Sequence, residues 1–213
     1  MTLGNFLRAW TSVIGGGPHV NMNTTTAIVP HGFMSDPARK GSMVATNFYD
    51  MPEEKIYKMA RGHYNNLKNI NSAFISWAAS LHMMFCYAKY LKAGTAHIAV
   101  MDTHAMGGEV MVWHVPQLLN RGNHKYLAFG RTRGSGYQAV SLKVLEERGL
   151  YRWFPEPATA PPLGLFGHSL QTKMFLEPTA SLALDEIYSF ETIGSLFHEL
   201  AFPVVTALLC MPA

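Results

Sequence analysis

Charge is scarce in this chain. Asp, Glu, Lys and Arg make up 15% of its residues, and 17 basic side chains against 14 acidic ones leave a net charge of +3. There is no run of five or six basic residues. A nucleic-acid interface needs cations gathered on one face, so nucleic acid is not expected as a partner. Cysteine is nearly absent. Cys86 and Cys210 stand far apart among apolar neighbours, which predicts buried thiols rather than a disulfide. Neither belongs to a CxxC pair, so no zinc site is expected and the metal-ligand set is empty. Long apolar runs are also missing. The most apolar stretch, Leu200 to Met211, is interrupted by Pro203 and falls well short of the roughly 20 residues of a membrane-spanning helix. A buried helix or tail is expected there, and no membrane partner. The opening MTLGNFLRAW has no basic start leading into a long apolar run, so no secretory leader is read in it. A trimmed secreted precursor would look the same, so the compartment stays open between cytoplasm and secretion. No G-x-S-x-G elbow or Cys–His signature supports serine or cysteine hydrolysis.

What is present is apolar bulk. Hydrophobic residues make up 48% of 213, enough for a sizeable core in one domain with or without an appendage. Phe6 to Trp10 reads as a strand running into the glycine loop at 15–18. Asp50, Pro52 and Glu53 mark a helix start. Ile56, Met59, Ala60 and Leu67 follow at helical spacing as core positions. Residues 73–77 read as a strand, and Ser80 as the N-cap of a helix to Leu91 whose buried face holds Leu81, Met84, Phe85 and Ala88. Further strands are predicted at 96–101, 110–115 and 126–131, the first two joined as a hairpin through Gly107-Gly108. Residues 141–148 read as a short helix stopped by Gly149. Residues 155–162 are proline-rich, and 184–200 reads as one helix packing back on the domain. Strands and helices do not alternate strictly, which points to an α+β class.

Several short motifs are weighed and set aside. Residues 134–139, GSGYQA, match a G-x-G-x-x-A dinucleotide fingerprint, but Glu156 falls in the proline-rich loop instead of at a strand end. A plain turn is the better reading. His198-Glu199 lacks the second histidine of a zinc-protease helix, because Phe202 stands in its place. Ten histidines are scattered through the chain. His31, His97, His104 and His114 could converge in space, although a lone histidine is usually structural.

Three ordered segments resemble the R-S-E class of ADP-ribosyltransferases, the cholera-toxin-like group, and a fungal domain family of unknown function related to it. LRAWTS at 7–12 is similar to the arginine-bearing first strand. The glycine loop and PHGF at 30–33 resemble the turn that follows it. FISWAASL at 74–81 is similar to the serine strand that runs straight into a helix. KYLAFG at 125–130 resembles the strand that begins with the catalytic glutamate. The match runs from about residue 5 to 150. It implies two small packed antiparallel or mixed sheets flanked by helices, with 1–155 as the core and 156–213 as a proline-rich loop plus a C-terminal helix. It further implies a catalytic set at Arg8, Ser76 and the glutamate position, here Lys125, with NAD contacts from Arg8, Ala9, His31, Gly32, Ser76 and Trp77.

NAD would then be the substrate, transferred as ADP-ribose with release of nicotinamide, and a protein is one acceptor such a fold serves. That chemistry needs a carboxylate to stabilise the oxocarbenium-like transition state, and a lysine opposes it. The second hydroxyl of the serine motif is missing as well, since the strand reads Ser76-Trp77-Ala78. Asp102, Glu109, Glu146 and Glu147 are the alternative carboxylates. Two functions follow as expectations: a mono-ADP-ribosyltransferase, or a catalytically degenerate member that binds a nucleotide or a protein. Trp10, near Arg8, is either core or a stacking surface.

Overall fold

A computed structural model describes residues 4–11, 22–34, 47–67, 70–91, 94–120, 125–155 and 183–211. The glycine loop at 15–18 and most of the proline-rich stretch lie outside these residues. The architecture is mixed α+β. Its centre is a six-stranded antiparallel sheet formed by β1 (Asn5–Trp10), β4 (Phe74–Ala78), β5 (His97–Asp102), β6 (Met111–His114), β7 (Lys125–Phe129) and β9 (Tyr137–Ser141), in the order β6-β7-β4-β1-β5-β9. A smaller sheet holds β2 (Met22–Asn23), β3 (Ala27–Val29) and β8 (Thr132–Arg133).

Both faces of the large sheet are covered, and this explains why its central strands read as nearly continuous apolar runs. On one face Leu7, Ala9, Ala78, Ile98, Val100 and Val140 pack under α2 (Leu81–Tyr90) and the C-terminal helices. Beside them Phe74, Leu127 and Phe129 pack under Ile56 and Ala60 of α1 (Glu53–Tyr64), with α3 (Val115–Leu119) alongside. On the other face Phe6, Trp10, Ile75, Trp77, Ala99, Met101 and Tyr137 meet Ile28 of the small sheet. Side-chain alternation along each strand sorts the residues between these layers.

Several expectations are corrected. Leu67 is not core. α1 ends at Tyr64, Asn66 turns left-handed at φ 53°, and Leu67 N returns to Gly62 O, leaving Leu67 55% exposed. Residues β5 and β6 do not form a hairpin, because both edges of β5 are taken by β1 and β9, while β6 pairs with β7. The eight residues between them carry the chain across the sheet, longer than a two-residue hairpin turn allows. The single helix expected at 184–200 is α6 (Leu184–Gly194) followed by a 3-10 segment (Ser195–Leu200) broken at His198, φ 49°. α7 (Ala201–Leu209) follows and tolerates Pro203 in its first turn, where no intrahelical N–H is needed. Cys86 is buried, but Cys210 is exposed, and neither forms a disulfide.

The remaining helices, α4 (Leu142–Glu147) and α5 (Leu150–Trp153), flank Gly149 at φ 88°. Ser80 caps α2 by accepting from Met83 N at 3.2 Å. Only the first half of GSGYQA is a tight turn, Gly134 to Gly136, closed by Tyr137 N to Gly134 O at 3.1 Å; Tyr137 to Ala139 already belong to β9, so no helix N-terminus follows the glycines to meet a pyrophosphate. Among the described residues, no helix is long and apolar enough to cross a membrane.

Candidate functional site

Adjacent strands β1 and β4 share one bridge, Leu7 opposite Ala78, whereas β1 and β5 pair along six residues. A ladder that stops leaves backbone groups needing other partners. Arg8 supplies one: its Nη1 donates to Ser76 O at 2.7 Å. The guanidinium fills the seam where the two strands part, and Arg8 is only 9% exposed. Burial pushes its pKa down, with the Tyr137 and Tyr87 hydroxyls opposing, and arginine stays charged in a protein.

The Ser76 hydroxyl points elsewhere. Ile75 and Trp77 face the small sheet, so alternation turns Ser76 toward α1. There its Oγ lies 3.0 Å from His63 Nε2. Arg8 and Ser76 therefore meet through a backbone carbonyl and not through their functional groups. Burial, then the cations of Arg8 and Lys125, push the His63 pKa down to about 3. His63 is thus neutral near pH 7, and either tautomer can pair with the hydroxyl.

Lys125 sits opposite Ala78 on β7 and is exposed, its Nζ 5.4 Å above the ring centre of Tyr64. That spacing is in cation–π range. The alternative carboxylates are all engaged elsewhere. Asp102 accepts His104 N at 2.9 Å, Glu109 pairs with Arg133 at 3.5 Å, and Glu146 and Glu147 pair with Lys89 and Lys143 at 3.8 Å each. The cluster at the seam is cationic and polar.

The other residues assigned to NAD are spread out. Ala9 is buried under α2. Trp77 is 2% exposed on the opposite face from Ser76, edge-on to Tyr137. Trp10 stacks on its cross-strand neighbour His97 at 4.2 Å, so its ring face is occupied. His31 opens a 3-10 turn (His31–Phe33) whose Gly32 N donates to Ser72 O at 2.7 Å. That contact lies roughly 13 Å from Ser76 along extended chain. A Cβ on Gly32 would come within 2.8 Å of Ala73 N, so only glycine allows the close approach. Among the described residues, no three His, Cys, Asp or Glu side chains gather to hold a metal ion.

His63 is the residue the sequence reading missed. It falls seven positions after Ile56, which puts both on the inward stripe of α1, and that spacing was the available signal. Its low pKa has a measurable consequence. The unfolded histidine titrates near 6.5, so as pH falls from 6.5 toward 3 the unfolded chain takes up a proton that the native site refuses. Stability from this group is complete above 6.5 and is lost on acidification, by at most about 1.4 kcal/mol per pH unit. Urea midpoints from pH 7 to 4.5 should fall more steeply for the natural chain than for His63→Gln, which keeps a hydrogen-bonding group without the titration. Parallel curves would contradict this.

A family model described as Domain of unknown function (DUF7587) matches residues 20–142. The matched segment holds His63, Ser76 and Lys125 together with the three short strands of the small sheet, and begins after Arg8. No curated protein and no solved structure matches the chain. With the model spanning more than half of its 213 residues, the chain belongs to the DUF7587 family, a domain of unknown function.

Proposed function

We propose that the chain is a nucleotide-binding module of ADP-ribosyltransferase-like fold that has lost glycosyl-transfer chemistry. The reading rests on the charge of the seam. Arg8 and Lys125 flank the Ser76–His63 pair, and the four carboxylates considered for catalysis are committed elsewhere. Cleavage of the nicotinamide–ribose bond builds positive charge on the ribose, and removal of one well-placed electrostatic partner commonly costs ~10²–10³ in rate. Cations in that place add repulsion. The same cations favour a diphosphate: the exposed Lys125 ammonium can meet its oxygens directly, and the buried Arg8 guanidinium, held on the Ser76 carbonyl, adds positive charge behind it. Ser76 and His63 each keep a little exposed surface, and Lys125 stands exposed on the same face, so a ligand would approach from the Lys125 side. NAD or a related ADP-ribose compound is the ligand this reading selects.

An active transferase is the second reading, favoured by Arg8 reaching the serine strand, where its Nη1 donates to the Ser76 carbonyl. Calorimetric titration of the full chain with NAD and ADP-ribose, paired with an assay for released nicotinamide, separates the two. NAD and ADP-ribose are expected to bind alike, without nicotinamide release above the buffer rate. Lys125→Ala, at an exposed position, should weaken both by about three- to tenfold, as expected for loss of one partly screened charge near a phosphate. Nicotinamide release would restore the transferase reading. Absence of binding, or indifference to Lys125→Ala, would reject the nucleotide site.

A further inference from the structure

An opening lies on the face of the large sheet opposite Ser76 and Lys125. It is a cavity of about 410 Å³ lined by Phe6, Thr103, Val110, Val112, His114, Gln117 and Tyr126. Tyr126 stands opposite Trp77 in the β4–β7 register, so it points away from the layer that holds Ser76 and Lys125. The sheet separates this cavity from Ser76 and Lys125, whereas Arg8 leaves β1 on the same face as Phe6.

Its walls differ in kind. Tyr126 and His114 are cross-strand partners with ring centres 4.9 Å apart and planes inclined by 31°. Phe6 backs Tyr126 at 4.8 Å. Tyr126 and His114 are each only partly buried, so the pair offers accessible aromatic surface. Val110 and Val112 form an aliphatic wall. Thr103 and Gln117 bring the rim its polar atoms: the Thr103 hydroxyl donates to Gly4 O at 3.2 Å, which leaves it free to accept, and the Gln117 amide carries both a donor and an acceptor. Among the described residues the lining has no Lys, Arg, Asp or Glu.

We infer that this cavity binds a neutral, planar heteroaromatic ligand the size of a purine nucleoside. The volume falls within the roughly 300–1,000 Å³ typical of small-molecule sites, above what a single small ring fills. An aromatic wall rewards a flat π-face over an aliphatic body of equal area. A charged ligand would shed hydration here with no opposite charge to replace it, which selects a neutral one. The edge of a heteroaromatic ring supplies the donor and acceptor that Gln117 and Thr103 can meet. This site is independent of the nucleotide reading of the seam, where the recognised group is an anion.

Adenosine is the probe, titrated into the full chain by calorimetry, with cyclohexanol as the non-stacking control. Adenosine should bind at least about tenfold more tightly than cyclohexanol, the scale of one base–aromatic stack. Val112→Trp, which fills the cavity from an edge strand, should abolish binding. Gln117→Ala, at an exposed helix position, should weaken it by about threefold to tenfold through loss of one hydrogen bond. Lys125→Ala should leave adenosine binding within twofold of the natural chain, as roughly expected for a side chain screened by the sheet. No binding of adenosine, equal binding of cyclohexanol, or indifference to both Val112→Trp and Gln117→Ala would overturn the site. Loss of adenosine binding in Lys125→Ala would place the purine at the seam instead and overturn it equally. Failure of ADP-ribose to bind, with adenosine binding intact, would count only against the seam.

Discussion

Deleting residues 183–213 is expected to leave a chain that does not fold. The C-terminal helices have the marks of an appendage: they follow a proline-rich stretch and lie beyond the family match. Their contacts say otherwise. Phe190, Ile193, Phe197, Leu200, Val204 and Leu208 share one core cluster with Leu7 and Ala9 of β1, Ile98 and Val100 of β5, and Phe85 of α2. Burying six such side chains stabilises by on the order of 10 kcal/mol, comparable with the whole stability of a domain, about 5–15 kcal/mol. Removing them uncovers the sheet face that β1 and β5 present. The truncated chain should show no cooperative thermal transition and poor amide dispersion in a two-dimensional NMR spectrum. Native-like dispersion with a cooperative melt would show that residues 1–182 fold without the C-terminal helices.

Gly130→Ala should destabilise the domain on the order of 3 kcal/mol, from about 1–3 kcal/mol of backbone strain and a similar overpacking cost. Gly130 is the corner where the chain leaves β7 in the large sheet for β8 in the small one. Its φ is +125°, a region closed to side chains, and a Cβ there would collide with the Glu109 carbonyl oxygen and lie 3.2 Å from Val110 Cα. Both obstacles are backbone and cannot rotate aside. For a domain of this size the melting temperature should fall by roughly 10 °C. Gly134→Ala is the control: φ is +82°, yet nothing lies within 4 Å of the added carbon, so only the conformational cost remains, about 1 kcal/mol. Equal losses at the two positions would show that crowding at the corner contributes nothing.

The elements legible in the sequence are those that local physics decides. β1, β4 and α2 fall within a residue or so of their expected bounds because apolar runs and a serine cap are local signals. Their partners were not legible. Gly107-Gly108 has the composition of a hairpin turn, and both glycines are left-handed at φ 58° and 84°. β5 nevertheless pairs with β1 and β9, since strand pairing is settled by which neighbours bury both faces of a central strand. Leu67 had the right spacing for α1 but lies past its end, because Asn66 takes the left-handed turn that stops the helix. For the site, the residue types at Arg8, Ser76 and Lys125 could be read directly. Their mutual geometry could not, and neither could His63, which meets Ser76 only through the packing of α1 on the sheet.

By itself the sequence determined the α+β class, the positions of most strands and helices, and the lysine that stands where the resemblance expects a carboxylate. Only the tertiary structure decided that β1 and β4 part after a single bridge, that Arg8 closes the gap by binding a carbonyl, and that Ser76 turns to a neutral histidine. The physical reason is range. Backbone propensity and side-chain periodicity act over a few residues, whereas a ladder that stops short, and the charge that fills it, depend on strands 68 positions apart in the chain.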